Sequence, residues 1–184
     1  MKACESVNGG AGVRSGAMTA VRAEASGDED AIRRLNEPAF EGQTEADLID
    51  ALRGSEAWLP DFSLVADDGA GIVGHVLFSV VGLDSGPEVL SLGPMAVMPE
   101  RQREGIGSAL IQRGLALAHS TTYPFVVVLG HPAYYPRFGF EPARGYGIET
   151  PYEVPDEAWM ALPLPRYDER VRGTVVYPVA WSGV

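Results

Sequence analysis

The feature that most constrains the fold is a strand, a glycine turn, a helix and a second strand in the middle of the chain. Residues 88–97 (EVLSLGPMAV) form a β-rich run, and residues 99–107 (PERQREGIG) separate it from a helical pattern that ends near His119. Residues 124–130 (PFVVVLG) are then continuously apolar, which is typical of a strand buried on both faces. This order predicts a crossover connection within a sheet.

A strand and two helices are predicted near the start of the chain. Residues 18–25 (MTAVRAEA) alternate as a strand does, and Ser26 followed three residues later by Glu29 is a capping-box signature. Pro38 is expected to interrupt the helix that follows. Residues 45–55 (EADLIDALRGS) predict a second helix that ends at the glycine.

Further β-rich segments complete a mixed sheet. Residues 62–68 (FSLVADD) and 71–83 (GIVGHVLFSVVGL) flank a glycine-containing turn and predict a hairpin. Residues 158–164 (AWMALPL) and 173–181 (GTVVYPVAW) are two more extended candidates. We therefore expect an α/β (α+β) fold in which an antiparallel meander precedes one strand–helix–strand crossover, with helices on the faces of the sheet.

Composition and charge narrow the classes of function. The 184 residues carry a net charge of −11, which argues against a nucleic-acid-binding face and against attraction to anionic membranes. The single cysteine, Cys4, cannot form an internal disulfide, so a cytoplasmic protein is expected. The polar, glycine-rich residues 1–17 are expected to form a disordered leader before one domain of residues 18–184, and Met18 is an alternative start.

The turn before the central helix suits a phosphate ligand. Gly105 and Gly107 remove side chains that would hold an anion away from the N–H groups of a helix N-terminus, and Arg101 and Arg103 add positive charge. The P-loop pattern GxxxxGK[ST] fails because no Gly-Lys-Ser/Thr follows. The dinucleotide pattern GxGxxG fails because Leu110 stands at its third glycine.

A family resemblance rests on two segments. Residues 102–107 (QREGIG) have the form Q/R-x-x-G-x-G/A and resemble the acetyl-CoA-binding motif of the GNAT superfamily of acyl-CoA N-acyltransferases. Residues 126–143 (VVVLGHPAYYPRFGFEPA) resemble the fifth strand and fourth helix of that family. In particular, they are similar to a subgroup of predicted acetyltransferases with the pattern LG-x-P-x-YY-x-RFGF. The resemblance covers residues 18–181.

The resemblance implies a GNAT-like fold and a bound acetyl-CoA. The fold is a mixed, mostly antiparallel central sheet flanked by helices, with splayed fourth and fifth strands. The pantetheine arm would lie along the fourth strand, and the pyrophosphate would meet the N–H groups of the turn. The implied cofactor-binding residues are Met95, Ala96, Val97, Gln102, Arg103, Glu104, Gly105, Ile106, Gly107 and Ser108. The carboxylate of Glu104 is expected to turn away from the pyrophosphate.

For the chemistry, the resemblance implies Tyr135, which stands four residues before the glycine of the GF pair, as the residue nearest the departing thiolate. A phenol of pKa ~10 is a weaker acid than a thiol of ~8.5, so we expect Tyr135 mainly to hydrogen-bond the thiolate. Glu37 and Phe40, in the loop between the first two helices, are expected at the acceptor site. Glu37, Glu41 and Glu88 are the acidic candidates for a general base.

The implied function is transfer of an acetyl group from acetyl-CoA to a primary amine of a small molecule or protein, by direct attack in a ternary complex. A cationic acceptor would suit the acidic chain, and the family also admits a homodimer. No metal is expected because the histidines lack metal-ligand spacing. Val128 stands where many members carry an asparagine that contacts pantetheine. A non-catalytic acyl-CoA-binding sensor or interaction module is therefore the alternative.

Overall fold

The structure is a computed structural model that describes residues 19–39 and 44–181. The predicted leader, the alternative start Met18 and two residues predicted near the acceptor, Phe40 and Glu41, lie outside the described residues. The predictions made for them stay predictions.

Three helices and nine strands follow one another along the described chain. The helices are α1 (Glu29–Ala39), α2 (Thr44–Arg53) and α3 (Ile106–Ala118). The strands are β1 (Ala20–Ala23), β2 (Ser63–Asp67), β3 (Ile72–Leu83), β4 (Glu88–Val97), β5 (Phe125–Leu129), β6 (Glu141–Pro142), β7 (Ile148–Glu149), β8 (Trp159–Pro163) and β9 (Gly173–Val176). In this part of the chain, no helix is long and apolar enough to cross a membrane.

The predicted meander and crossover are confirmed. β1 to β4 pair in sequence order, each antiparallel to the next. α3 then carries the chain from β4 to β5, which pairs parallel to β4. β8 pairs antiparallel with β5, β6 pairs with β8, and β9 pairs with the end of β3. The sheet is therefore mixed and mostly antiparallel, as expected.

The capping prediction at the first helix is wrong. α1 begins at Glu29, and Asp28 rather than Ser26 precedes its first turn. The carbonyl of Asp28 accepts the N–H of Ile32 at 2.9 Å, which is the first hydrogen bond of the helix. Glu29 accepts the N–H of Gly27 at 2.7 Å. The carboxylate of Asp28 accepts the N–H of Ala25 at 2.8 Å, and its negative charge is favourable at the positive end of the helix.

Two further element boundaries, both near prolines, differ from the prediction. α1 continues one residue past Pro38 and ends at Ala39. β9 ends at Val176, and residues 179–181 form a 3-10 turn instead of a continued strand. Pro178 has no N–H to donate to a neighbouring strand, which limits the extension of β9.

The helices pack on opposite faces of the sheet. On one face, α3 packs in a cluster that contains Leu64, Val76 and Phe78. On the other face, α1 and α2 pack in a cluster that contains Val65 and Leu77. Neighbouring residues of β2 and β3 thus point to opposite faces, as pleated strands require. The sheet separates an α3 face from an α1–α2 face.

A β-bulge interrupts β4 at residues 93–94. Leu92 pairs with Phe78 and Met95 with Val76, so residues 93–94 stand opposite a single residue of β3. An extra residue shifts the alternation of side chains between the two faces. Leu92 and Met95, three positions apart, therefore both pack in the cluster on the α3 face.

β4 and β5 separate at this bulge. In the described chain they pair at residues 90–91 and 126–127, and the pairing ends there. β5 nevertheless continues to pair with β8 as far as Leu129 and Trp159. A gap therefore opens between the two strands beyond the bulge, and the predicted splay is confirmed.

A chain of buried polar side chains ties the sheet to α1 and α2. His75 Nε2 lies 3.0 Å from Ser63 Oγ, and its Nδ1 lies 3.4 Å from Asn36 Nδ2. Ser63 donates to Glu24, which accepts from Arg53 Nε at 2.6 Å. Burial, with a smaller contribution from Arg53, lowers the pKa of His75 to about 3. The ring is therefore neutral in the folded protein at neutral pH.

This buried histidine predicts a pH dependence of stability. An unfolded histidine titrates near ~6.5, so below that pH the unfolded state binds a proton that the folded state excludes. The free energy of unfolding should therefore fall by up to ~1.4 kcal/mol per pH unit from this group, from about pH 6.5 toward pH 3. Urea denaturation of the wild type and of His75→Gln between pH 7 and 4.5 measures this contribution, because the variant lacks the titrating ring.

The matched control is the same substitution at an exposed histidine, His119→Gln. The free-energy difference between wild type and His75→Gln should shrink as the pH falls. A difference that stays constant over this range would contradict the assignment.

Candidate active site

A cleft of about 600 Å³ opens beside the N-terminus of α3. The end of β4, the turn before α3 and the first turn of α3 line it, together with two residues that follow β5. The lining residues are Met95, Val97, Arg101, Gln102, Arg103, Gly105, Ile106, Gly107, Ser108, Tyr134 and Arg137. The structure thus brings eight of the ten predicted cofactor-binding residues together in one cleft.

The other two predicted residues, Ala96 and Glu104, do not line the cleft. Ala96 is 3% exposed and lies between Met95 and Val97, so strand alternation turns its side chain to the opposite face. The carboxylate of Glu104 accepts a hydrogen bond from Arg101 Nε at 2.8 Å. Ala96 and Glu104 can therefore reach a ligand in the cleft through their backbone groups.

The turn before α3 has an unusual backbone. Arg103 has φ +66° and Gly105 has φ +87°, both in the left-handed region. Glycine adopts this region without cost, whereas an arginine there is strained. Gly105 supplies no side chain to cap the helix, and its carbonyl accepts the N–H of Ala109 at 2.9 Å. The first N–H groups of α3 are therefore left for an anion in the cleft.

Arg101 is held by carboxylates and contributes less positive field than the sequence suggested. Its guanidinium forms ion pairs with Asp68 and with Glu104. Hydrogen bonds from the N–H of Ala70 and from Arg101 lower the pKa of Asp68. Both partners are carboxylates in direct ion pairs with Arg101, so they offset its charge.

Arg137 is a cationic cleft residue that the sequence reasoning missed. Its guanidinium carbon lies 4.6 Å from the centre of the Tyr134 ring, and its Nε donates to the Tyr134 carbonyl at 2.9 Å. Nη2 also donates to the carbonyl of Ala133 at 3.3 Å. Within the described chain no carboxylate pairs with Arg137. The RFGF segment contained this residue, but sequence spacing alone did not place it beside α3.

The side chains of Tyr134 and Tyr135 lie in different parts of the structure. The hydroxyl of Tyr134 would be 3.0 Å from a Cβ on Gly107, so Tyr134 faces the first turn of α3. Tyr135 is 8% exposed and packs edge-on against Phe140, with ring centres 5.7 Å apart. Its ring also covers Gly130, where an added Cβ would lie 2.2 Å from Cε2. Tyr135 therefore lies at the end of β5 and, unlike Tyr134, does not line the cleft.

A second cavity, of about 360 Å³, lies at the bulge on the other side of the gap. α2, β4, the exposed end of β5 and the C-terminal segment contribute to it. The lining residues are Glu45, Leu48, Ser91, Leu92, Gly93, Pro94, Leu129, Tyr152, Tyr177 and Trp181. The bulge therefore stands between this cavity and the cleft, which begins at the next residue of β4.

Two of the acidic residues predicted as general-base candidates, Glu37 and Glu88, line neither the cleft nor the second cavity. Glu37 pairs with Arg33 on α1 at 3.1 Å and lines neither the cleft nor the second cavity. Glu88 lies at the opposite end of β4, in a separate pocket with Tyr123. The acidic residue at the second cavity is Glu45, in the first turn of α2. No sequence motif marks it, because its position depends on how α2 docks on the sheet.

Among the residues that the structure describes, no group of three or more histidine, cysteine, aspartate or glutamate side chains could hold a metal ion. The cleft and the second cavity offer instead backbone N–H groups, arginines, tyrosines and apolar surface. Such an arrangement can bind an anionic ligand on one side of the gap and an apolar ligand on the other.

Comparisons of sequence identify the relatives of the chain. A family model described as "Acetyltransferase (GNAT) domain" matches residues 60–142, which run from just before β2 to the end of β6. The "uncharacterized N-acetyltransferase YjhQ" of Escherichia coli (strain K12) is 39% identical over 144 residues. That alignment covers 74% of this chain and 80% of YjhQ.

Solved structures extend the similarity to the whole fold. The GNAT family N-acetyltransferase YhbS from Escherichia coli, in complex with CoA, is 30% identical with a TM-score of 0.81, over 89% of this chain and 92% of that one. A GNAT family acetyltransferase from Brucella melitensis, in complex with acetyl-CoA, is 32% identical with a TM-score of 0.74. It covers 90% of this chain and 99% of its own.

Because the Tyr135 ring packs against Gly130, any side chain at position 130 should lower the free energy of unfolding. In Gly130→Ala the new methyl group would overlap the Tyr135 ring, which is packed against Phe140 and cannot move freely. We expect the free energy of unfolding to fall by about 1–3 kcal/mol, as for other overpacked sites. Urea denaturation measures the change. Gly145→Ala, where the new Cβ meets nothing within 4 Å, is the control, and equal effects would contradict the contact.

Proposed function

The chain belongs to the GNAT family of acetyltransferases, and from that premise we propose that it transfers the acetyl group of acetyl-CoA to a primary amine by direct attack in a ternary complex. The observation that carries the proposal is the gap between β4 and β5. The cavity at the bulge reaches Pro94 and the cleft beside α3 begins at Met95, so the two adjoin along β4. A donor in the cleft and an acceptor in the cavity would meet there.

In this proposal the cleft holds the cofactor. The pyrophosphate accepts hydrogen bonds from the uncapped N–H groups at residues 105–108, where the helix also provides partial positive charge. Arg137 adds a full charge from the other wall. The pantetheine arm pairs with β4 at residues 95–97 as an extra strand would, because β5 has left that edge. Arg101 mainly holds Glu104 away from the phosphates.

The chemical step places Tyr135 beside the sulfur. The neutral amine attacks the thioester carbonyl carbon, the carbon–sulfur bond breaks, and coenzyme A leaves as a thiolate. The nitrogen loses a proton to water, and the thiolate gains one, so the products are an amide and a free thiol. Burial raises the pKa of Tyr135 to about 12, well above the ~8.5 of a thiol. Tyr135 therefore keeps its proton and stabilises the thiolate by a hydrogen bond.

We infer that the acceptor is an amine of a small molecule or peptide that is cationic in solution, because the net charge of −11 attracts cations. Nucleic acid and membrane surfaces are disfavoured as partners for the same reason. We also propose, from the sequence and the family resemblance, that the protein is cytoplasmic and forms a homodimer.

Thiol release separates the proposed enzyme from a non-catalytic acyl-CoA-binding module. The purified protein is mixed with acetyl-CoA and a panel of primary amines, and free coenzyme A is detected with a thiol reagent. Amine-dependent release supports the transferase. Tight binding of acetyl-CoA, measured by calorimetry, without release for any amine would instead support the binding module.

Replacing Arg137 tests the cofactor cleft. A charge-assisted hydrogen bond to a phosphate contributes about 1.5–3 kcal/mol, so Arg137→Ala should raise the Kd for coenzyme A about 10- to 100-fold. Calorimetry with coenzyme A measures this. Arg113→Ala, which removes the same charge from an exposed position on α3, is the control. An unchanged Kd in Arg137→Ala would exclude the contact.

Replacing Tyr135 tests the chemical step. Tyr135→Phe keeps the ring that packs on Phe140 but removes the hydroxyl. We expect kcat to fall about 10- to 100-fold, with little change in the Kd for acetyl-CoA, because the hydrogen bond forms only as the thiolate departs. Steady-state kinetics with any amine substrate measures it. Tyr134→Phe is the comparison, and an equal or larger loss of kcat there would reassign the role to Tyr134.

A further inference from the structure

The cavity at the bulge has an aromatic wall, formed by Tyr152, Tyr177 and Trp181. The ring centres are 5.4 Å apart between Tyr152 and Tyr177, and 4.8 Å apart between Tyr177 and Trp181. The opposite sides are formed by Leu48 and Leu129. Leu129 is 45% exposed although it ends a buried strand, so it presents apolar surface to the cavity rather than to the core.

One carboxylate faces this apolar surface. Glu45 is the one acidic or basic residue that lines the cavity in the described chain. Burial raises the pKa of Tyr177, so its phenol stays neutral and belongs to the apolar wall. A ligand that matches the cavity therefore carries a single positive charge and an apolar body. A second ammonium group would have to leave water for apolar surroundings, which is costly without a partner.

Five of the ten lining residues of the cavity, among them Glu45 and the three aromatic residues, lie outside the segment shared with the family model. That segment spans residues 60–142 and contains the cofactor cleft. Glu45 precedes it, and the three aromatic residues follow it. The carboxylate and the aromatic wall, which can distinguish one amine from another, thus lie outside the segment that the family model covers. Its volume of about 360 Å³ lies near the lower end of the ~300–1,000 Å³ of ligand pockets, which suits a small molecule.

We infer that the acceptor is a small arylalkylamine, whose ammonium group pairs with Glu45 and whose ring packs against Tyr152, Tyr177 and Trp181. This inference rests on the proposed function, because it names the acceptor class of the same site. Glu45 binds the amine, and the aromatic wall selects for a flat apolar ring. The amine nitrogen then approaches the gap at the bulge, where the thioester is expected.

Kinetics with matched amines test the selection. Coenzyme A release is measured with 2-phenylethylamine, n-butylamine, spermidine and a lysine-containing peptide. The wild type should show a kcat/KM for 2-phenylethylamine at least about tenfold above that for each of the others, as aromatic packing at this level allows. Tyr152→Ala should abolish this preference, because it should lower kcat/KM for 2-phenylethylamine much more than kcat/KM for n-butylamine. Glu45→Gln should lower kcat/KM about tenfold for both monoamines.

Matched controls separate these effects from general damage. Tyr167→Ala removes a tyrosine with the same exposure, 41%, that packs against Phe125 instead of the cavity. Glu56→Gln removes one negative charge from an exposed position after α2. Both variants should keep the wild-type preference. Loss of the preference in either control would contradict the role of the wall or of Glu45.

A binding measurement keeps the inference apart from the proposed function. 2-Phenylethylamine is titrated into the protein, with and without coenzyme A, by calorimetry. Binding that Tyr152→Ala weakens supports the inference whether or not turnover is seen. Absence of binding, or turnover of spermidine or the peptide in preference to 2-phenylethylamine, overturns it while the transferase stands. Absence of coenzyme A release with every amine overturns the proposed function.

Discussion

The unpaired edge of β4 is the constraint on which the rest of the structure depends. Backbone N–H and C=O groups need partners, and a central strand normally finds them on both sides. Here the bulge at residues 93–94 and the departure of β5 leave one side of β4 open. The cleft and the second cavity both adjoin that opening. A ligand with an extended, amide-containing arm would complete the sheet.

The turn before α3 carries less unpaired positive charge than its number of arginines suggests. Arg101 lies between two carboxylates, Asp68 and Glu104, and serves to fix the turn against the β2–β3 hairpin. Arg137 reaches the cleft from a different segment and is free of carboxylates within the described chain. An acidic protein can thus offer a local anion site, because helix N–H groups and one arginine act over short distances.

Sequence reasoning performed best where the information is local. The bounds of β4, the hairpin after β2 and the crossover helix follow from alternation, turn residues and glycine positions, and the structure confirms them. The N-cap of α1 was misassigned because Asp28, two residues after Ser26, is also a capping residue type, and its carbonyl accepts the first hydrogen bond of the helix. Glu45 and Arg137 could not be found from spacing. Their positions depend on how α2 and the segment after β5 dock on the sheet, which is decided by packing between distant residues.

The gap between β4 and β5 also affects how ligands enter and leave the protein. Residues of α3 line the cleft and residues of α2 line the second cavity, and the two share no lining residue. Each can therefore admit its own ligand. Under the proposed function, coenzyme A and the acetylated amine could depart in either order, because the cleft and the cavity are lined by different residues. Under the proposed function, each product would compete with the substrate that it came from and leave the other entrance clear. The order of product release would depend on relative affinities rather than on steric blockage.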